Sequence, residues 1–247
     1  MEQQIEGRNP VLEALRAGRP LNKLLVAKGS REGSIREILA LARESGVLVQ
    51  EVDKARLDQM AESRAHQGVI ALAAAREYAD VDEILRIASD RGEEPLILIL
   101  DQIEDPHNLG SLLRTSDAAG VHGIIIPERR SAGLTAAVGK ASAGAIEHVP
   151  VARVVNLSRA VDDLKERGLW VVGTHQDAPQ VYHQARLTGP LGIVIGSEGR
   201  GIGRLLLEKC DIHVRIPMKG KISCLNAAVA GALMVFEVIR QRGGQGA

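Results

Sequence analysis

Leu96-Ile97-Leu98-Ile99-Leu100 runs straight into Asp101-Gln102-Ile103-Glu104-Asp105-Pro106-His107-Asn108-Leu109-Gly110. A five-residue aliphatic run has no polar face to give to water, so it reads as a parallel strand covered on both sides. The polar stretch after it reads as a βα loop, with Asn108 a reasonable cap for the helix that follows. Further strands are expected at Gly123 to Ile126, Leu169 to Gly173, Leu191 to Gly196 and Ile212 to Ile216. Helical stretches fall between them at Leu109 to Ala119, Leu157 to Arg167 and Ile202 to Lys209, and Leu225 to Arg240 closes the chain as a long helix. Strands alternating with helices imply an α/β parallel sheet, with ligand chemistry at the carboxyl ends of its strands.

Upstream the texture differs. Asn9-Pro10 opens a helix that carries Leu12 and Leu15 and stops at Gly18. Leu21 to Ala27, Val47 to Val52 and Gly68 to Ala75 read as strands; Ser34 to Ser45 and Asp53 to Ser63 read as helices. Residues 1–76 are therefore expected to form a small α/β domain, 77–94 a polar linker with a helical segment, and 95–247 the parallel-sheet domain.

The chain has 247 residues, 31 Lys plus Arg and 31 Asp plus Glu, for a formal net charge of zero. That balance argues, on its face, against a nucleic-acid partner, because such proteins are usually basic. Only four aromatic residues are present, Tyr78, Trp170, Tyr182 and Phe236, and they are scattered. A base-stacking platform is excluded on that ground. Two cysteines, Cys210 and Cys224, are too few for a thiolate zinc site and suit a reducing compartment. No HxxxH or HExxH spacing occurs, so no metal is expected. The longest apolar stretch, Val69 to Ala75, is far short of the about 20 residues that a bilayer needs. The polar start, Met1-Glu2-Gln3-Gln4, has no apolar signal region, so a soluble, cytoplasmic protein is expected.

Three clusters follow strands. The first leads from Asn108 to Arg114; both can face the open end of the sheet. The second is Gly196-Ser197-Glu198-Gly199-Arg200-Gly201-Ile202-Gly203, whose glycines allow close backbone approach to a ligand. It fits neither GxGxxG nor the Walker loop, and Glu198 would repel phosphate, so it suits a ligand with donors or a contact that orients Arg114 or Asn108. The third is Ile216-Pro217-Met218-Lys219-Gly220-Lys221-Ile222-Ser223-Cys224-Leu225-Asn226, where Ser223 or a neighbour caps the last helix and Asn226 lies in its first turn. Ala227, Ala228, Ala230, Gly231 and Ala232 then permit very close packing. Cys224 reads as a small buried residue.

Together, in order and at matching spacing, the clusters resemble the motifs of the SpoU (TrmH) family of RNA ribose 2′-O-methyltransferases. They stand here as Asn108-Leu-Gly110-Ser-Leu-Leu-Arg114, Ile195-Gly196-Ser-Glu198-Gly199-Arg-Gly201 and Ile216-Pro217-Met218-Lys-Gly220-Lys-Ile-Ser-Cys-Leu225-Asn226. Glu6-Gly7-Arg8-Asn9-Pro10-Val11 and His66-Gln67-Gly68 look like the family's N-terminal RNA-binding domain, itself similar to small ribosomal proteins. The resemblance implies a SPOUT-type catalytic domain with a C-terminal trefoil knot, a homodimer formed through that domain, and S-adenosyl-L-methionine as cofactor. Within the family it is closest to members that modify a guanosine of large-subunit ribosomal RNA. It implies that Arg114 is the key catalytic residue, supported by Asn108, Glu198 and Asn226, and that Gly173, Thr174, Gly196, Ile216, Met218 and Leu225 hold the cofactor. Cys224 departs from the family, which usually has Ser there.

Alternatives are the same reaction on tRNA, an inactive RNA-binding or ribosome-associated protein on this fold, and a nucleotide-binding oxidoreductase, the last disfavoured by the missing GxGxxG. The charge balance is compatible with RNA once it is read locally. Residues 1–80 hold 12 basic and 12 acidic side chains, but Arg200, Arg204, Arg215, Lys219 and Lys221 gather around the second and third motifs, and Arg8 and Arg64 can add an RNA face on the first domain. Zero net charge thus excludes tight, indiscriminate electrostatic binding and leaves a shape-reading protein with a shallow salt dependence.

Overall fold

The computed structural model describes residues 2–30, 33–61, 65–74, 77–222 and 224–243. The chain divides into two compact units, Met1–Glu77 with Gly133–His148, and Tyr78–Ala132 with Val149–Ala247.

In the first unit, β1 (Glu2–Glu6), β2 (Leu21–Ala27), β3 (Val49–Val52) and β4 (Val69–Ala74) form one sheet in the order β1-β4-β2-β3. β2 and β3 are parallel, as joined by a helix; the pairs with β4 are antiparallel. Alternation along β2 serves both faces. Leu24 and Val26 pack with α1 (Arg8–Arg16) and α2 (Ser34–Glu44), whereas Leu25 and Ala27 pack with Leu57 of α3 (Lys54–Met60). Two expectations change here. β1 was not foreseen, because Glu2-Gln3-Gln4-Ile5-Glu6 carries a single apolar residue and lies at the sheet edge. Asn9 was expected to cap α1, but the helix begins at Arg8, behind Gly7 at φ +96°.

Residues 133–148 belong to this unit. They contain a short helix, Ala136–Ala141, capped by the Thr135 hydroxyl, which accepts from the Val138 N–H at 3.4 Å. Arg19 and Glu147 pair at 2.8 Å with 10% and 4% of their side chains exposed, and His148 Nε2 lies 3.1 Å from Glu13 Oε2.

In the second unit the helix before the sheet is Val81–Asp90, α4 once the chain is followed in order; α5 is Pro106–Ala118. The strands β5 (Leu96–Asp101), β6 (Gly123–Pro127), β7 (Val151–Val154), β8 (Trp170–Thr174), β9 (Gln180–Val181), β10 (Leu191–Gly196) and β11 (Ile212–Arg215) form a sheet in the order β7-β6-β5-β10-β8-β11-β9, with every pair parallel. The five strands expected in this region are all present; the edge strands β7 and β9, of four and two residues, were missed.

Counting Ala136–Ala141 as α6, the remaining helices are α7 (Leu157–Glu166), α8 (Arg204–Leu207) and α9 (Ala227–Gly243). One face of the sheet buries Ile97, Ile99, Val171 and Val194 under α4, α7 and α8. The polar texture of 77–94 is the outer face of α4: Asp82, Glu83 and Arg86 lie on it, while Ile84 and Ala88 are fully buried. α5 and α9 pack against each other, with α9 against β10. A Cβ added at Gly231 would lie 2.4 Å from Leu112 Cδ2, so a larger residue here would force the buried Leu112 side chain to shift.

β5 continues through α5 to β6 on one side, and β10 continues through α8 to β11 on the other. Their carboxyl ends therefore flank a switch point, the place where an open α/β sheet offers a crevice for ligands. Gly231→Ala should destabilise the protein by about 1–3 kcal/mol, read as a lower urea midpoint at an unchanged slope.

Candidate active site

β5 ends at Asp101, a buried carboxylate whose Oδ2 accepts the Gly203 N–H at 2.7 Å. This bond fastens the loop after β10 to the end of β5. α5 is capped by Asp105, which accepts from the His107 N–H at 2.9 Å, with Pro106 opening the helix. Asn108 is thus not the cap that the sequence suggested. It sits inside the first turn, with its amide free for other partners.

β10 ends at Gly196, and the chain doubles back at once. Ser197 and Gly201 exchange backbone hydrogen bonds of 3.2 and 2.8 Å, and a Cβ at Gly196 would sit 2.1 Å from the Gly201 carbonyl carbon. Only glycine fits there, and the turn it allows carries Glu198. Asn226 was expected inside the first turn of the last helix, with Ser223 or a neighbour as the cap. Asn226 is itself the cap: its Oδ1 accepts from the Ala228 and Val229 N–H groups at 3.0 and 3.2 Å. Ser223 and Arg64 lie outside the described residues.

These three side chains meet. Asn108 Nδ2 donates to Glu198 Oε1 at 2.8 Å, and Asn226 Nδ2 donates to the same oxygen at 2.6 Å and to Asn108 Oδ1 at 2.8 Å. The Ala227 N–H adds a longer bond to Glu198 Oε1 at 3.4 Å. Residues 118 positions apart are closed into a ring by one carboxylate oxygen.

Beside the ring lies a cavity of about 230 Å³. Thr174, Gly196, Ile216, Met218 and Leu225 line it, together with Glu198, Arg200 and Cys224. Gly173 does not line it: a Cβ there would meet Cys210 Sγ at 2.9 Å, so its missing side chain makes room for the packed helix face behind β8. Sequence reasoning missed His175, Gln176, Ser197, Ala227 and Ala230. The alanines stood out only as packing residues, although their size also leaves the cavity open. The Ser197 hydroxyl is buried and has no partner among the described residues.

Arg114 is outside both ring and lining. It is exposed on α5 and, among the described residues, makes no hydrogen bond or ion pair. Of the expected RNA-binding residues, Arg200, Lys219 and Lys221 are exposed, and Arg204 pairs with Glu208 at 3.4 Å. Arg8, on the first unit, is engaged: its backbone N–H and Nε donate to Gln67 at 3.1 Å. Arg215 is committed to structure, because its Nη1 donates to the Ala178 and Pro179 carbonyls. Cys224 is exposed rather than buried, whereas Cys210 is buried and burial pushes its thiol up to about 12. Among the described residues, no group of three His, Cys, Asp or Glu is placed to hold a metal ion, and no helix is long and apolar enough to cross a membrane.

Residues 95–236 match the SpoU rRNA Methylase family, and residues 4–79 match the RNA 2′-O ribose methyltransferase substrate binding family. The chain belongs to the SpoU rRNA methylase family. It is 50% identical over 236 residues to YacO of Bacillus subtilis, assigned to the TrmH family of tRNA/rRNA methyltransferases, covering 96% of this chain and 94% of that one. Among solved structures it is similar to the SpoU methyltransferase AviRb from Streptomyces viridochromogenes in complex with AdoMet, at TM-score 0.83 and 27% identity, over 98% of this chain and 91% of that one. It is also similar to the AdoMet-bound rRNA methyltransferase of Sinorhizobium meliloti, at TM-score 0.81 and 26% identity, over 97% and 87% of the two chains. As a SpoU/TrmH family member, the protein is an RNA methyltransferase.

Two outcomes follow from the geometry. Asn226→Ala removes cap and ring donor together and should cost about 1–2 kcal/mol in chemical denaturation. A thiol reagent at about pH 8 should label one cysteine of the native protein, Cys224, and both after unfolding, because a thiol titrating at about 12 is protonated under those conditions.

Proposed function

We propose that this SpoU-family enzyme transfers the methyl group of S-adenosyl-L-methionine to the ribose 2′-hydroxyl of a guanosine in 23S ribosomal RNA. The observation that carries this reading is the Asn108–Glu198–Asn226 ring on the rim of the cavity. The cofactor is supported by the AdoMet complexes of AviRb and the Sinorhizobium meliloti enzyme. The RNA 2′-hydroxyl is supported by the substrate-binding match over residues 4–79.

The cavity fits such a cofactor. Ile195, Ile216, Leu225 and Ala230 offer an apolar slot for a flat base. The carboxyl ends of β8 and β10 bring backbone polar groups to its wall, and the orphaned Ser197 hydroxyl awaits a partner. Thr174, Gly196, Ile216, Met218 and Leu225 would hold the molecule. When bound, it supplies a methyl group on a sulfonium, an already activated leaving group.

The chain's own residues must then position the hydroxyl and manage its proton. A guanidinium holds its proton far above neutrality, so an arginine makes a poor general base there. We therefore assign to Arg114 the orientation of the 2′-hydroxyl and the stabilisation of oxyanion charge as the methyl moves. Its exposure and lack of a protein partner among the described residues leave the guanidinium available for this. Asn108, Glu198 and Asn226 fix the start of α5, the helix that carries Arg114.

Arg200, Arg204, Lys219 and Lys221 border the site and Arg8 belongs to the first unit; together they are read as RNA contacts. Val229, Leu233 and Phe236, at 48, 38 and 50% exposure, recur at helical spacing on α9. That apolar stripe supports a homodimer formed through the catalytic domain. A knotted C-terminal segment and a cytoplasmic location complete the reading.

Calorimetric titration with S-adenosyl-L-methionine should show saturable binding, and its absence would overturn the proposal. Arg114→Lys should lose at least about tenfold in turnover at unchanged cofactor affinity; near-full turnover would remove the specific guanidinium role. Mapping 2′-O-methyl groups in cells with and without the protein decides between ribosomal RNA and tRNA.

A further inference from the structure

The loop after β6, Glu128-Arg129-Arg130-Ser131-Ala132, belongs to neither ring nor cavity. β6 is the parallel neighbour of β5, so this loop emerges at the same carboxyl edge as the active site. It is fastened there: the Ala132 N–H donates to the Ile103 carbonyl at 2.8 Å, and the Ser131 hydroxyl donates to the Pro127 carbonyl. Ile103 lies in the segment that leads into α5. In the order β6-β5-β10, two strand spacings of about 4.8 Å separate this loop's strand from the strand that carries Glu198.

Arg129 and Arg130 are both exposed, and neither has a hydrogen bond or ion pair among the described residues. Three other arginines of this unit are spent on the fold. Arg242 donates to the Glu94, Pro95 and Gly189 carbonyls, Arg240 pairs with Glu237, and Arg153 holds the Glu128 carbonyl at the base of this very loop. Arg130 also has φ +59°, a left-handed conformation that glycine adopts without strain and arginine does not. The loop's own hydrogen bonds come from Glu128, Ser131 and Ala132, so they do not explain why the strained position carries a long cation. Strain retained at an exposed site with an idle charged group points to a ligand.

We propose that Arg129 and Arg130 grip backbone phosphates of the RNA substrate and position the target nucleotide from the β6 side of the active site. Two adjacent guanidiniums, each a planar fork of donors, suit phosphate oxygens. Arg200, Lys219 and Lys221 lie on the β10 and β11 side, so the RNA strand is held on both flanks of the switch point. The inference rests on the RNA substrate assigned above and adds residues that lie outside the motifs.

The test is filter binding of the full-length protein to deproteinised bulk ribosomal RNA across a salt series. Arg129→Gln with Arg130→Gln should flatten the slope of log affinity against log salt by about 1.4, near ~0.7 for each phosphate that is no longer neutralised. The same variant should raise KM for RNA several-fold while kcat and cofactor affinity hold. Arg159→Gln, on the exposed face of α7, is the charge control; a slope change no larger than the control's would overturn the proposal. Arg130→Gly separates binding from folding. Weaker RNA binding at an unchanged or higher Tm supports the assignment, and a lowered Tm with an unaltered slope overturns it. If wild-type protein transfers no methyl group yet the slope difference persists, the reaction assigned above fails and this loop stands.

Discussion

One carboxylate oxygen holds the catalytic end of the sheet together. Glu198 Oε1 receives the amides of Asn108 and Asn226 and the N–H of Ala227, so a single atom joins the start of α5, the turn after β10 and the start of α9. Three donors, one from α5 and two from the start of α9, thus share one acceptor atom. The turn that presents Glu198 exists only because Gly196 has no side chain, and Asp101 fastens its far end through Gly203. Glu198 and Ala227 also line the cavity, so the junction forms part of its wall.

Charge is divided by task rather than by total. With 31 basic and 31 acidic residues, the chain has no excess to spread over its surface. Arg215, Arg240 and Arg242 serve the fold through carbonyls or a neighbouring carboxylate, whereas Arg114, Arg200, Lys219 and Lys221 stay unpaired among the described residues. A neutral protein can thus present a cationic edge without a strong long-range field, which favours recognition by fit over capture at a distance.

Much of the second unit was legible because a parallel sheet declares itself. Leu96 to Leu100 and Leu191 to Gly196 are aliphatic enough to admit no other reading, and the helices between them have clear periods. The three motifs singled out Asn108, Glu198 and Asn226, the residues that the fold brings into one ring. Local roles were harder. Asp105 and Asn108 are both plausible caps, and only the backbone shows that the aspartate does the capping and releases the asparagine. The resemblance set Gly173 beside Thr174 in the cofactor site, and only the structure shows that alternation in β8 turns its side-chain position toward Cys210 and leaves it out of the cavity lining. Residues 133–148 could not be assigned from sequence at all, since their partners Arg19 and Glu13 lie 128 and 135 residues earlier.

That last segment has a consequence for how the protein is made. A ribosome that has finished residue 77 has not finished the first unit, whose remaining piece arrives only with residues 133–148. Before then Arg19 lacks Glu147, and its site on a nearly buried surface stands open to the emerging chain. Strands β5 and β6 are synthesised in that interval, so the first unit gains its last piece only after part of the second unit's sheet has been made. Removing residues 1–77 alone would strip residues 133–148 of the groups they pack with, Arg19 and Glu13 among them.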